Sequence, residues 1–304
     1  MIEVQHLQKS FGTHTAVNDV SFSVRKGEFY SLLGPNGAGK TTTISMLSSL
    51  LKCDKGELTV NGTSVTQSPE EVKKNIGVVP QEISLYDDFS ALDNLYFWGS
   101  LYRVQKNDLK KRAESLLTDF GLLERAKDKV KTYSGGMKRR INIACALLHN
   151  PPVVFMDEPT VGIDPQSRNN IYEAIDKMKK EGKTILYTTH YMEEAERFSD
   201  RIGIMDNGKI IAEGTLEDLK KTGNVRETIS LECASTPSKK DFLSEFDFSV
   251  NENILRFTVD SVKKDLPKIL GKCFENGVDV THIDISRSNL ESVFLQLTGK
   301  KLRD

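Results

Sequence analysis

The chain has 304 residues, a formal net charge of -1, 38% hydrophobic residues and 28% charged residues. This length exceeds a common single domain and favours two, and the composition is ordinary for a soluble, core-forming protein. Near-neutrality removes any global electrostatic reason to expect nucleic acid as a partner. No apolar run approaches the ~18 residues that span a bilayer; the longest covers residues 143–148. Residues 1–11, MIEVQHLQKSF, lack the basic start and apolar core of a signal peptide. Any work at a membrane then needs spanning segments from another chain. Cys53, Cys145, Cys233 and Cys273 show no C-x-x-C spacing, and they read as reduced thiols of a cytosolic protein.

In chain order, strand-like runs fall at residues 2–7, 28–33, 76–79, 153–156, 184–187 and 201–205, with helical patterns between several of them. Short apolar strands alternating with helices predict an α/β layer fold with a mainly parallel sheet. Asn207-Gly208 between apolar runs signals a hairpin turn, because both residues tolerate positive φ. A linker is expected at residues 220–226, which separates a domain at 1–222 from one at 226–304. In the second domain, strand signals at 228–233, 254–259 and 278–286 surround a helical stripe of Val262, Leu266, Ile269, Leu270 and Phe274. A last helix covers residues 289–297 and stops at Gly299. This is the pattern of a small α+β domain, of ferredoxin-like kind, and it carries no chemical constellation.

Gly34-Pro35-Asn36-Gly37-Ala38-Gly39-Lys40-Thr41-Thr42 fits G-x-x-x-x-G-K-[ST] between a strand and a helix. The glycines let backbone N–H groups approach phosphate oxygens, and the helix N-terminus adds partial positive charge. Lys40 supplies a point charge for the β- and γ-phosphates, and the Thr41 hydroxyl suits Mg²⁺. The alternative is a plain glycine-rich turn. A second motif ends the buried run 153–156 with Asp157 and Glu158. Asp157 suits Mg²⁺ through its water shell, and Glu158 stands where an attacking water is oriented. The alternative there is a solvated acidic strand end.

Tyr133-Ser134-Gly135-Gly136-Met137 precedes a helix with apolar positions Ile141, Ala144, Cys145 and Leu148. At these residues the chain resembles the ABC ATPase family, whose signature is typically LSGGQ, and the resemblance runs through residues 1–222. It implies an ABC-type P-loop NTPase fold: a RecA-like core, an antiparallel β subdomain and a helical subdomain, here with the small α+β domain added. It implies ATP and Mg²⁺ as ligands. Further family positions fall in order: Gln81 as the Q-loop residue, sensing the γ-phosphate and reaching Mg²⁺; Asp164 in the D-loop; His190 as the switch histidine. Lys40, Gln81, Glu158 and His190 are the expected catalytic set; Thr41, Gln81 and Asp157 are the expected metal set. Residues 34–42 with Ser134, Gly135, Gly136, Asp164 and Phe11 are the expected nucleotide contacts.

The resemblance also implies a head-to-tail dimer that sandwiches ATP between the P-loop of one chain and Ser134-Gly135-Gly136 of the other. Hydrolysis dissolves that dimer. A separate multi-spanning permease is the implied partner, placing the chain on the cytoplasmic face of the cell membrane. Three departures stand out. Phe11 replaces the usual Tyr against adenine, and its alternative is edge-strand core. Tyr133 and Met137 replace Leu and Gln. The run Lys138-Arg139-Arg140 could be a DNA patch, but three charges on this helix read more simply as a solvated face. The aromatics Tyr86, Phe89, Tyr96, Phe97, Trp98 and Tyr102 suit either a permease interface or packing within the helical subdomain. The tail at residues 287–299 is similar to ATPases that drive ABC-2-type exporters, including drug-resistance and sodium-efflux ATPases. The expected function is therefore an exporter's ATPase subunit. The alternatives are a non-transport ABC ATPase of translation or DNA maintenance, and a module that holds ATP without turnover.

Overall fold

Alternating burial along the first residues makes two strands, β1 (Ile2–Phe11) and β2 (His14–Val24), paired antiparallel across the turn at Gly12. Their polar residues face outward, as in a sheet with one wet face. The chain then leaves this layer through β3 (Phe29–Leu33), whose five residues are all buried. Helix α1 (Lys40–Leu47) follows, and β4 (Lys55–Val60) and β5 (Thr63–Ser64) complete an antiparallel sheet of order β2-β1-β4-β5. Only residues 2–7 of this sheet are legible as strand from the sequence.

Helix α2 (Pro69–Asn75) leads into β6 (Ile76–Val79), and a helical layer follows. It comprises α3 (Ala91–Leu101), α4 (Lys106–Asp119) and α5 (Gly135–Leu147). A capping box starts α3: Ser90 Oγ accepts from Asp93 N, and the Asp93 carboxylate accepts from Ser90 N. The chain returns through β7 (Val153–Asp157), α6 (Pro165–Lys180), β8 (Thr184–Thr189), α7 (Met192–Phe198), β9 (Arg201–Asp206) and β10 (Lys209–Gly214). The central sheet has order β10-β9-β3-β8-β7-β6. All its pairings are parallel except β9 with β10, which turn at Asn207 (φ 47°) and Gly208 (φ 76°) as the Asn-Gly signal predicts.

Two cores flank this sheet. On one side Leu95, Leu117, Ile141 and Ala144 of the helical layer pack with Val154, Met156 and Tyr187. On the other, Val4, Val20 and Leu58 of the antiparallel sheet and Ile44 of α1 pack with Leu32, Phe155 and Leu186. Strands buried on both faces explain why β3, β7 and β8 read as largely apolar runs. The RecA-like core, antiparallel β subdomain and helical subdomain are thus all present. The carboxyl ends of β3, β7 and β8 meet at one edge, where open α/β sheets bind ligands.

The aromatic stretch divides by residue. Tyr96 and Trp98 pack on the helical core, and Tyr102 stacks on His149 at 3.6 Å between ring centroids. Tyr86 and Phe89 stay about half exposed, 5.5 Å apart.

The computed structural model describes residues 1–222, 226–234, 241–286 and 289–299. These form two units that part between Leu216 and Glu217, at the start of α8 (Leu216–Thr222). Of the expected linker, residues 223–225 lie outside the described residues, as do Arg287 and Ser288 of the exporter-like tail and residues 300–304. The second unit pairs β11 (Glu227–Cys233), β12 (Asp247–Asn251) and β13 (Ile254–Val259), and adds β14 (Val280–Ser286) after α9 (Val262–Glu275). All pairings are antiparallel, in the order β12-β13-β11-β14. Ile229, Leu231, Leu255 and Phe257 pack against Ile269 and Cys273 of α9. Between β11 and β12 the described residues hold a 3-10 turn, Asp241–Leu243, where a full β-α-β-β-α-β pattern has a helix. Helix α10 (Leu290–Thr298) ends on Gly299 at φ 66°. No helix among the described residues is long and apolar enough to cross a membrane.

Candidate active site

The loop from β3 to α1 is shaped by close approach. A Cβ on Gly34 would lie 2.2 Å from Met205 O, and one on Gly39 would lie 2.4 Å from Ala16 O, so neither position accepts a side chain. Gly37 (φ 82°) and Gly39 (φ 101°) are left-handed, which turns the loop into the helix. Nothing lies within 4 Å of a Cβ on Gly37, so its glycine serves the backbone turn alone. Pro35 is half-buried, Asn36 exposed and Ala38 buried. Lys40 is 4% exposed, and its Nζ donates to Gly34 O (2.7 Å) and Pro35 O (3.0 Å). The same Nζ lies 3.0 Å from Glu158 Oε1. Thr41 Oγ1 donates to Asp157 Oδ1 at 3.1 Å, and Thr42 is half-buried beside it in the first turn.

Asp157 ends β7 and also accepts from Thr188 Oγ1 at 2.6 Å. Burial pushes its carboxyl above the usual range, opposed by the two hydroxyl donors. Glu158 follows with φ 43°, a left-handed backbone that non-glycine residues rarely adopt. Its N–H donates to Thr188 Oγ1 (3.0 Å) and to Thr188 O (3.2 Å), which fixes the turn. The turn brings Glu158 Oε2 within 3.2 Å of His190 Nδ1, close enough for an ion pair but not aligned as a hydrogen bond. Lys40, Thr41, Asp157, Glu158, Thr188 and His190 therefore converge at one strand edge.

His190 sits on a braced platform. Glu194 of α7, 2% exposed, accepts four hydroxyls: Thr160 (2.6 Å), Tyr172 (2.9 Å), Tyr187 (2.8 Å) and Thr189 (2.7 Å). Thr189 Oγ1 in turn accepts from Tyr191 N at 2.9 Å. Sequence reasoning missed Glu194. No sequence signal singles it out, since Glu193, Glu194 and Glu196 all surround Ala195 in the same short helix.

The remaining candidates lie elsewhere in the unit. Gln81 is exposed in the loop after β6. Phe11 is 50% exposed with Lys9 Nζ 5.6 Å from its ring centre, so it is not edge-strand core. Ser134 caps α5, its Oγ accepting from Met137 N at 3.3 Å. A Cβ on Gly135 would meet nothing within 4 Å. One on Gly136 would lie 2.0 Å from Ser167 Oγ, 2.2 Å from Ser167 Cβ and 3.3 Å from Asp164 Oδ2. Asp164 caps α6, accepting from Ser167 N at 2.9 Å, and these bonds hold its carboxyl below the usual range.

One expectation is overturned. The run Lys138-Arg139-Arg140 is not a solvated face, because a helix turns about 100° per residue and three neighbours cannot share one side. Lys138 pairs with Asp87 at 2.8 Å, and Arg140 donates to Phe120 O at 2.7 Å. Arg139 is 2% exposed and donates to Pro80 O (2.5 Å), Pro159 O (2.6 Å) and Glu158 O (2.9 Å). Burial pulls its guanidinium down to a pKa of about 10.

The profile of the ABC transporter family matches residues 17–161. The chain is 44% identical to the linearmycin resistance ATP-binding protein LnrL of Bacillus subtilis, over 100% of both chains. It is 46% identical to the doxorubicin resistance ATP-binding protein DrrA of Mycobacterium tuberculosis, over 72% of this chain and 67% of that one. To the Nod factor export ATP-binding protein I of Cupriavidus pinatubonensis it is 36% identical, over 100% of this chain and 92% of that one. Among solved structures, an ATP-binding subunit of an ABC transporter superposes with a TM-score of 0.68 at 32% identity, covering 74% of this chain and 93% of that one. The dimeric cassette MJ0796 bound to ADP and Pi superposes with a TM-score of 0.65 at 28% identity, covering 71% and 98%. With the P-loop, the Asp157-Glu158 pair and the Ser-Gly-Gly helix start in one unit, the chain belongs to the ABC transporter ATP-binding proteins and is an ATPase of that family.

Proposed function

We propose that the chain is the ATP-hydrolysing subunit of an ABC-2-type exporter, working as a pair of chains against a separate membrane-spanning permease on the cytoplasmic face of the cell membrane. The observation that carries this reading is the convergence of Lys40, Thr41, Asp157, Glu158 and His190 at the ends of β3, β7 and β8. The backbone N–H groups of residues 37–42 bind the phosphates of ATP at the start of α1. Lys40 Nζ exchanges the Glu158 carboxylate for β- and γ-phosphate oxygens. Thr41 and Asp157, already 3.1 Å apart, would hold Mg²⁺ together with Gln81, and the ion would neutralise charge on the phosphates. Freed from Lys40, Glu158 orients the attacking water and takes its proton as the bond forms. His190 holds the γ-phosphate and that water from the opposite side. Phe11 stacks on adenine, a contact of about 1–3 kcal/mol in comparable aromatic stacks.

The second half of each site comes from the other chain, through Ser134, Gly135, Gly136 and Asp164. The open space around a Gly135 Cβ supports this: nothing in its own chain requires glycine there. The relatives named for linearmycin and doxorubicin resistance and for Nod factor export support the direction of transport. A nucleic acid partner has no place in this scheme.

The test is Glu158→Gln in the full chain. It should bind MgATP, hydrolyse it about 100-fold or more slowly, and elute as a dimer in light-scattering chromatography with MgATP. Wild-type turnover would remove Glu158 from the mechanism, and a monomer at saturating MgATP would remove the ATP sandwich.

A further inference from the structure

Arg139 belongs to neither half-site, yet it is among the most deeply buried large side chains of the protein. Its three acceptors come from two separate segments. Pro80 O precedes Gln81 at the start of the Q-loop; Glu158 O and Pro159 O form the turn that aims the Glu158 carboxylate. One helical turn later on α5, the buried Asn142 accepts from Ser84 N at 3.3 Å. Two side chains of one helix thus hold the Q-loop at both ends, leaving Gln81, Glu82 and Ile83 exposed between them. Only one of the two also reaches the Glu158 turn. A guanidinium suits this task, because its N–H groups point along fixed, diverging directions in a plane. An ammonium has its three donors on one atom and reaches only acceptors close to a single point, whereas Nε, Nη1 and Nη2 of Arg139 each meet a different carbonyl.

We infer that Arg139 is a positioning residue for hydrolysis: it locks the start of the Q-loop to the Glu158 turn of the same chain, so that displacement of the loop is passed to the carboxylate that orients the water. The inference rests on the reading of Glu158 as that carboxylate. The strained φ of Glu158 makes the turn responsive, since that backbone is held by the bonds it makes, and those to Thr188 and Arg139 are among the few that fix it. The nucleotide contacts lie on other residues, so the clamp acts on turnover rather than on binding.

The experiment compares Arg139→Lys, Asn142→Ala, the double variant and Glu158→Gln in the full chain. It measures kcat and KM for MgATP, and equilibrium binding of trinitrophenyl-ATP. Arg139→Lys should lose at least tenfold in kcat while binding stays within twofold of wild type. Asn142→Ala frees only the far end of the loop and should lower kcat severalfold at unchanged binding. The double variant should be no slower than Arg139→Lys alone, because a loop already uncoupled cannot be uncoupled again. Wild-type kcat in Arg139→Lys overturns the inference, as does a loss of binding equal to the loss of kcat, or additive losses in the double variant. If Arg139→Lys does not fold, wild-type kcat in Asn142→Ala overturns it. Glu158→Gln separates the two readings: wild-type turnover there sinks the catalytic assignment, whereas a dead Glu158→Gln beside a normal Arg139→Lys sinks only the clamp.

Discussion

Gly136→Ala is the substitution whose outcome the geometry fixes most sharply. The added Cβ would lie 2.0 Å from Ser167 Oγ and 2.2 Å from Ser167 Cβ. Ordinary carbon contacts are at ~3.5–4.0 Å, so α5 and α6 must separate by roughly 1.5 Å. Overpacking of this kind costs about 1–3 kcal/mol, and the preference of a helix for Ala over Gly offsets up to about 1 kcal/mol. The net loss of about 1–2 kcal/mol lowers the Tm of a unit this size by about 2–8 °C. The partner series makes the test specific. Ser167→Gly removes both colliding atoms and leaves Asp164 Oδ2 at 3.3 Å, so it should absorb the new methyl group. Ser167→Ala leaves its Cβ at 2.2 Å and should not. Thermal unfolding of the five single and double variants, read as double-mutant cycles, should show a favourable coupling of about 1 kcal/mol with Ser167→Gly and almost none with Ser167→Ala. A Gly136→Ala protein as stable as wild type, or equal rescue by Ser167→Ala, refutes the packing account of this glycine.

Lys40→Ala should abolish MgATP binding and also destabilise the protein, because it leaves the Glu158 carboxylate buried without its cation at 4% exposure. Loss of one member of a buried pair costs about 3–5 kcal/mol. In urea unfolding, Lys40→Ala with Glu158→Gln should regain part of that loss; no recovery would show that the ion pair does not hold the two segments. His149 gives a pH signature. Burial lowers its pKa from 6.5 to about 4, so between these values the unfolded chain binds the proton more readily. Its contribution to stability is present above pH 6.5 and is lost as pH falls towards about 4. His149→Gln should flatten that part of the Tm-against-pH curve, and an unchanged slope would dismiss the histidine as its source.

The features legible in the sequence are those that a phosphate or a dry sheet imposes on residue type. Gly34 to Thr42 had to be glycine-rich and end in Lys-Thr-Thr, and the middles of β3, β7 and β8 had to be largely apolar because both their faces are covered. β2 and β4 were hidden for the opposite reason: with one face wet, residues such as Asn18, Lys55 and Glu57 dilute the pattern. Arg139 and Glu194 were hidden because composition cannot tell a buried charge from a solvated one. Their partners are carbonyls and hydroxyls, which leave no spacing signature. Gly136 shows a motif read for one cause and constrained by another: the signature glycine suggests an approaching phosphate, while Ser167 of its own chain already excludes a side chain.

The double allegiance of α5 also decides how such proteins can be recombined. By packing, Ile141 and Ala144 tie α5 to the helical layer, so a chimera that imports a foreign helical subdomain would naturally import α5 with it. The residue at 139 would then arrive from one parent, while Glu158, Pro159 and Ser167, which it and Gly136 must fit, would stay with the other. Domain shuffling at the visible borders therefore breaks a match that the borders do not reveal. The unit that can be inherited whole runs from Pro80 through Ser167, across the seam between two subdomains.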